Sequence, residues 1–504
     1  MTATIQPSRS TRFIKPVCLA IFAVSLAFAA RGLFSGYSYW LDELFSVTAS
    51  RDGWRRLFGI MLQADVHPPL YQIVLKVWIL LFGSSEVATR ILSFLFSSLA
   101  LSAFSLDAII GKRWRRVATL LFIGASPFFA FYSQETRSYA MVLALSSVIT
   151  LSFLELRSRD RAGGTASETI LSCIYYAGSL LLSLTHYFGW IYVFVLSLVG
   201  FFEKRIEHVR LRTIFLFAAM SIWPLCHVFF GGLMAKSGGN FWIKVSPPIF
   251  GTITILLKGV MPFMAGAKLP YLLIISLLLI GAFVFLSAGQ WRQSVVADEC
   301  RLSLLVVLLF VALLALVDLR TPMSTPRNYI VLLPLVMIGL ANSFVMLANV
   351  GGIRSPSWLA SLFLVGLVTL FLAKHSWSQL GEKIQPHQNW KSLAAYVNES
   401  KVCSDGCLVV GSFGLHTYYF SGIGAGLLKE VSSDQLDSVQ MLPGVRILGF
   451  HQAYEELAEL MNANKERVCL QGTQSKKNST FIVLPKSALT GREADLGMKS
   501  CALP

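Results

Sequence analysis

Acids, histidines, arginines and lysines gather in a few short stretches between long apolar runs. The first is Trp40-Leu41-Asp42-Glu43, followed by Asp65-Val66-His67-Pro68-Pro69-Leu70-Tyr71. Next come Gln134-Glu135-Thr136-Arg137-Ser138-Tyr139 and Thr185-His186-Tyr187. Lys236 and Lys244 flank a Gly-Gly-Asn-Phe-Trp segment, and Arg320 and Arg327 precede Asn328-Tyr329. A carboxylate of this kind can take a proton from an attacking hydroxyl, and guanidinium groups hold a phosphate in a bidentate fork. Plainer roles compete: Asp42-Glu43 as a helix start, His67 shaping a turn before two prolines, Arg137 pairing with Glu135, the lysines in a solvated loop.

The elements that must position these residues are dictated by composition. Of 504 residues, 55% are apolar and 14% charged, and the formal net charge is +16; the mean hydropathy is +0.62. Soluble domains carry about 25% charged residues, and disordered chains are polar and poor in aromatics, so both classes are excluded. Residues 375–504 hold 12 basic and 12 acidic side chains, so the whole excess belongs to the first 374. A basic excess on so apolar a chain marks loops on the cytoplasmic side of a membrane rather than nucleic-acid binding.

A membrane span needs about 20 apolar residues. Eleven runs qualify as candidates: 14–34, 87–110, 117–132, 139–156, 168–184, 187–202, 213–230, 269–288, 302–318, 329–349 and 357–373. Runs at 69–82 and 249–265 are shorter, carry Lys76 and Lys258, and read as interfacial helices. The first span lacks a small-residue cleavage site and reads as retained. Basic clusters at Arg9–Lys15, Lys112–Arg116, Arg157–Arg161 and Lys204–Arg212 then share one face. That face is expected to be cytoplasmic, with the chemistry-bearing loops and the tail outside.

Two domains are expected, 1–374 in the membrane and 375–504 as a soluble α/β domain. The tail reads as a helix at 390–399, apolar runs at 408–413 and 445–450, a helix at 452–465 and an apolar run at 480–484. Its Cys403, Cys407, Cys469 and Cys501 can form disulfides on an oxidising side, with pairing left open.

Asp42-Glu43 after the first span, Asp65 to Tyr71, and Gln134-Glu135-x-Arg137-x-Tyr139 resemble the GT-C membrane glycosyltransferases. The branch is that of protein O-mannosyltransferases and the lipid A aminoarabinose and galacturonic acid transferases. The resemblance covers about residues 14–350. It implies transfer of a sugar from a polyprenyl phosphate to an acceptor at the outer membrane face, with inversion. Asp42 matches the family's catalytic base, and Glu43 is a cap or a helper to it. His67 takes the place of a basic residue that meets the donor phosphate, with Arg137 and Arg327 supplying further charge. Asp65, Tyr71, Glu135, Tyr139, His186, Lys236, Lys244 and Arg320 are further substrate-binding candidates. Where the aminoarabinose branch has a metal-associated Glu, this chain has Val66. A divalent ion on Asp65, Glu43 and His186 is conceivable, but their spacing is not diagnostic, and no cofactor is otherwise implied.

The expectation is a polytopic GT-C glycosyltransferase of a bacterial inner membrane, with cytoplasmic N-terminus and periplasmic tail. Its partners would be a polyprenyl-phosphate-linked sugar, galacturonic acid among the candidates, membrane lipid, and lipid A or lipopolysaccharide core. A protein or other envelope glycan is the alternative acceptor. A transporter of lipid-linked sugars is the non-enzymatic rival, but it would place charges near mid-span in two related halves; charges within the runs are few, Asp107 and Lys258 lying near ends or in the shorter runs, and no related halves are found in the sequence.

Overall fold

The computed structural model describes residues 12–63, 65–159, 166–202, 207–230, 294–319, 323–349, 357–384, 389–410, 415–422, 426–431, 446–450, 467–472, 480–496 and 498–501. The runs at 249–265 and 269–288, the 452–465 segment, and Lys236, Lys244 and Arg320 lie outside these residues, as do Arg9, Arg161, Lys204 and Arg205. The chain divides into two units. The first comprises residues 1–33, 53–83 and 88–380; the second comprises 34–52, 84–87 and 381–504.

The first unit is helical. Its helices are α1 (Ile14–Ala30), α3 (Trp54–Gln63), α4 (Leu70–Phe82), α5 (Glu86–Ile110), α6 (Trp114–Ala125), α7 (Pro127–Tyr132), α8 (Tyr139–Arg159), α9 (Ala166–Ser183), α10 (Tyr187–Phe202), α11 (Glu207–Phe229), α12 (Val295–Asp318), α13 (Leu333–Asn349) and α14 (Ser357–Ile384). Among the described residues six helical segments are long and apolar enough to cross a membrane: Glu86–Ile110, Tyr139–Ser158, Arg212–Phe229, Val295–Asp318, Pro326–Met346 and Ser361–Ser378. Ile14–Ala30, Leu70–Phe82 and Tyr187–Phe202 are apolar but shorter. The chain is a multi-pass membrane protein.

Two of the six segments form the centre. Of the apolar window in Tyr139–Ser158, 72% is enclosed by protein, and in Pro326–Met346 67%; the others have 17% to 39%. Residues of α1, α5, α6, α8, α10, α12 and α13 share one apolar core, among them Phe104, Phe122, Leu143, Tyr192, Phe310 and Ile338. The 117–132 run is not one helix. Ser126 breaks it, accepting a hydrogen bond from the Phe128 amide at 3.2 Å, and Pro127 starts α7. Proline is favoured at a first helical position, where its missing N–H costs nothing. The break lets the chain turn into the polar stretch at 133–138.

At the ends of α5, α8 and α12 remote from that stretch, charges are paired. Arg116, 1% exposed, lies 2.8 Å from Asp107 and 3.0 Å from Glu299. Arg115 reaches Glu299 at 3.1 Å, and Arg113 reaches Asp107 and Glu155. Asn342 of α13 donates to Glu299 at 2.7 Å, and Arg157 forks onto Asp298. The basic cluster after α5 was expected only to orient the chain; it also cross-links five helices.

The second unit holds α2 (Leu41–Arg51), α15 (Trp390–Ser400) and a sheet of β1 (Cys407–Val410), β2 (Leu428–Val431), β3 (Ile447–Phe450), β4 (Arg467–Gly472), β5 (Thr480–Pro485) and β6 (Met498–Ser500). The strand order is β2-β1-β3-β5-β4-β6. β1 is parallel to β2 and β3, and the remaining pairs are antiparallel. The side chains of β5 are buried from Thr480 to Leu484, as befits a central strand covered on both faces. Helix α15 is capped by Asn389, whose side chain accepts from the Ser392 amide, and ends at Lys401 in a left-handed conformation. Disulfides join Cys403 to Cys407 and Cys469 to Cys501, while Cys18, Cys173, Cys226 and Cys300 are free thiols.

Candidate active site

Asp65 and His67 sit in the loop between α3 and α4. Asp65 is buried, and its Oδ1 accepts from the His67 amide at 3.0 Å and faces His67 Nδ1 at 2.8 Å. Gln72, one turn into α4, donates to the other carboxylate oxygen at 3.3 Å. A carboxylate can only accept, so Nδ1 carries the hydrogen and Nε2 presents its lone pair. Burial alone would raise the Asp65 carboxyl, but the His67 ring, the hydrogen bonds from it and the Arg137 charge hold it well below the usual range. Burial lowers His67 below its ordinary 6.5 in spite of Asp65, and the charges of Arg137 and Arg327 act in the same direction.

The α9–α10 turn brings in a second histidine. Its tightness depends on Gly189, where a Cβ would lie 2.7 Å from the Leu182 carbonyl oxygen. The Leu184 carbonyl accepts from the Leu70 amide at 2.9 Å, which ties this turn to the start of α4. The His186 ring thus packs edge-on against His67, centroids 5.0 Å apart. His186 Nδ1 accepts from the Phe188 amide at 3.2 Å, so Nε2 bears the hydrogen. That Nε2 is buried and has no hydrogen-bond partner among the described residues. Burial, followed by the charges of His67, Arg137 and Arg327, pushes His186 well below 6.5.

The cations arrive on two other elements. Arg137 is buried in the 133–138 stretch, whose path is fixed by hydrogen bonds from Ser93 to the Glu135 carbonyl and between Thr89 and Thr136. A Cβ on Gly32 would run into the Gln134 amide, so the chain after α1 lies directly against this stretch. Arg327 stands at the second position of a 3-10 helix, Pro326–Leu332, with its guanidinium 5.8 Å from the centre of the Tyr139 ring. Tyr139 in turn packs on Tyr132 at 4.8 Å and on His186 at 6.0 Å. The turn carrying Arg327 is anchored by Asp318 at the end of α12, which accepts from the Met323 amide at 2.9 Å and from the Ser324 hydroxyl.

Of the residues singled out from sequence, Asp65, His67, Arg137, Tyr139, His186 and Arg327 therefore come together in the first unit. Glu135 and Tyr71 are buried in the same unit. Gln72 and Asp318 were missed; each is an isolated polar residue at an end of an apolar run, which is the signal that could have found them. Among the described residues no group of three or more His, Cys, Asp or Glu side chains could hold a metal ion.

Asp42 and Glu43 belong to the second unit, at the second and third positions of α2. Glu43 is fully buried, and its Oε2 accepts from the Trp40 amide at 3.3 Å. It therefore caps the helix in the manner of a capping-box glutamate. Asp42 is half-buried, and its backbone carbonyl accepts from Ser46.

No family model and no curated protein matches the sequence. Solved structures do match the fold. ArnT from Cupriavidus metallidurans in the apo state superposes with a TM-score of 0.52 at 14% identity, covering 92% of this chain and 97% of that one. The same protein bound to undecaprenyl phosphate gives a TM-score of 0.50 at 13% identity, over 94% and 98%. The chain shares the fold of this protein.

Proposed function

We propose that the protein is a glycosyltransferase that moves a sugar from a polyprenyl phosphate to an envelope acceptor, lipid A or lipopolysaccharide core, at the periplasmic face of a bacterial inner membrane. The observation that carries this reading is the convergence of the Arg137 and Arg327 guanidinium groups with the imidazoles of His67 and His186, two cations and two ring nitrogens suited to a phosphate. The likeness to ArnT, one of whose structures holds undecaprenyl phosphate, supports the same ligand class. Eleven crossings with the tail outside remain the topology we favour. Galacturonic acid is the donor sugar we favour, because residues 231–268 contain four lysines, Lys236 and Lys244 among them, and no acid.

In this mechanism Asp42 takes the proton from the acceptor hydroxyl as its oxygen attacks the anomeric carbon. The bond from that carbon to the phosphate oxygen breaks, and its electron pair leaves with the polyprenyl phosphate. Arg137 and Arg327 hold the growing charge, and the imidazoles of His67 and His186 contact the phosphate oxygens. One displacement inverts the anomeric centre.

Binding of undecaprenyl phosphate to the purified protein tests this set of groups. Hydrogen bonds to charged groups contribute about 1.5–3 kcal/mol, so His67→Ala and Arg327→Ala should each weaken binding by roughly 10- to 100-fold. Unaltered affinity in both variants would remove the phosphate site from this cluster.

A further inference from the structure

In the second unit the segment leading into α2 is gripped by residues far along the chain. The Tyr419 hydroxyl accepts from the Tyr39 amide at 2.7 Å and donates to Glu86 Oε1 at 3.0 Å. Lys391 pairs with the same Glu86 oxygen at 3.0 Å and donates to the Gly36 carbonyl at 2.8 Å, while its amide donates to Ser38 Oγ. The hydroxyls of Tyr39 and Tyr418 both donate to the Ser84 carbonyl, at 3.0 and 2.6 Å. Trp390 stacks on Tyr419, the Tyr39 ring meets Tyr418 edge-on, and Arg51, at the far end of α2, lies over the Tyr418 ring.

These contacts bear on Asp42 through the backbone. Tyr39 lies three residues before Asp42, and the amide of the intervening Trp40 is capped by Glu43. The direction in which α2 starts, and with it the direction of the Asp42 side chain, is thus set by a local cap and by a remote phenol. Burial and the Glu86 charge keep the Tyr419 hydroxyl protonated far above neutral pH, so the donor side of this bridge persists throughout any working range.

We propose that Tyr419, with Glu86 and Lys391, forms a latch by which the C-terminal residues hold the approach to α2 and aim Asp42 at the acceptor hydroxyl. Tyr419 is a positioning residue, and the proposal rests on the reading of Asp42 as the base. It gives residues 381–504 a part in the reaction.

The test uses the full-length protein in lipid nanodiscs, with Tyr419→Phe, which removes one hydroxyl, and the conservative Lys391→Arg. Amide hydrogen exchange across residues 37–46 reports on the latch itself; kcat and donor KM report on its use. The donors are the polyprenyl-phosphate-linked sugars, with lipid A as acceptor. For Tyr419→Phe we expect faster exchange in that segment, a kcat lower by about 10-fold and an unchanged donor KM; Lys391→Arg, which keeps the charge on Glu86, should move exchange and kcat in the same direction but by less. Exchange indistinguishable from wild type in Tyr419→Phe would overturn the latch. Faster exchange with an unchanged kcat would overturn its catalytic part, and a raised KM with unchanged kcat would do the same. Failure of the underlying reading shows separately, as full activity in Asp42→Asn.

Discussion

At the scale of single residues, His67 is held at Nδ1 by Asp65, which leaves Nε2 to meet a ligand. Its depressed pKa means that the empty site carries a neutral imidazole at neutral pH. A bound phosphate dianion favours the imidazolium, so His67 takes up a proton on binding and wild-type affinity for undecaprenyl phosphate, relative to that of His67→Gln, should rise as pH falls from about 8 to about 6. Titration calorimetry across that range checks the sign, and the pH slope should shrink in His67→Gln; a slope of opposite sign would contradict the assignment. At this scale the sequence offered His67 as a phosphate ligand and Asp65 as a substrate-binding candidate, but the hydrogen bonds between them appear only in the fold. The sequence left open the use of Glu43, cap or helper; the 3.3 Å contact to the Trp40 amide shows it capping α2. The edge-on packing of His186 on His67 depends on a turn 119 positions downstream, which no local pattern announces.

The elements differ in how far their sequences betray them. Apolar runs located most of the helices because a membrane-crossing helix must be apolar along its length. The Ser126-Pro127 break carried the standard helix-start pattern, yet it is masked by apolar neighbours on both sides. The ion network joining α5, α6, α8, α12 and α13 was invisible, because partners such as Arg116 and Glu299 lie 183 positions apart. It makes an asymmetric prediction. Arg116→Ala removes the most deeply buried cation of the network, leaving Asp107 to Arg113 and Glu299 to Arg115, and should cost about 1.5–3 kcal/mol. Arg157→Ala breaks a pair in which both side chains keep solvent contact, 16% and 24% exposed, and should cost about 1 kcal/mol or less. Thermal unfolding in detergent compares them, and equal shifts in Tm would contradict the network. At the other end of α12, Asp318→Ala strips the Met323 amide and Ser324 hydroxyl of their acceptor. The expected loss is about 1–3 kcal/mol, with weaker undecaprenyl phosphate binding as the turn bearing Arg327 loosens. Stability lost without any change in binding would detach Asp318 from the site.

For the molecule as a whole, composition located the membrane part and left the tail neutral, and the α/β character of the tail followed from its short alternating runs. Strands β2, β4 and β6 escaped notice: they are three to six residues long, and β2 and β6 expose charged side chains at Lys429, Glu430 and Lys499. The grouping of residues 34–52 and 84–87 with 381–504 reflects contacts between remote stretches, which hydropathy does not record. The function we propose makes one central claim, that lipid-linked sugar is consumed at this protein by transfer. The direct measurement reconstitutes wild type and Asp42→Asn in liposomes with polyprenyl-phosphate-linked sugars and lipid A, then quantifies free polyprenyl phosphate and glycosylated acceptor together. Wild type should release one polyprenyl phosphate for each sugar transferred, with an inverted anomeric centre. Asp42→Asn should still bind undecaprenyl phosphate but transfer about 10²- to 10⁴-fold more slowly, the range for loss of a general base. Intact lipid-linked sugar crossing the bilayer with no transfer, or full activity in Asp42→Asn, would contradict the account.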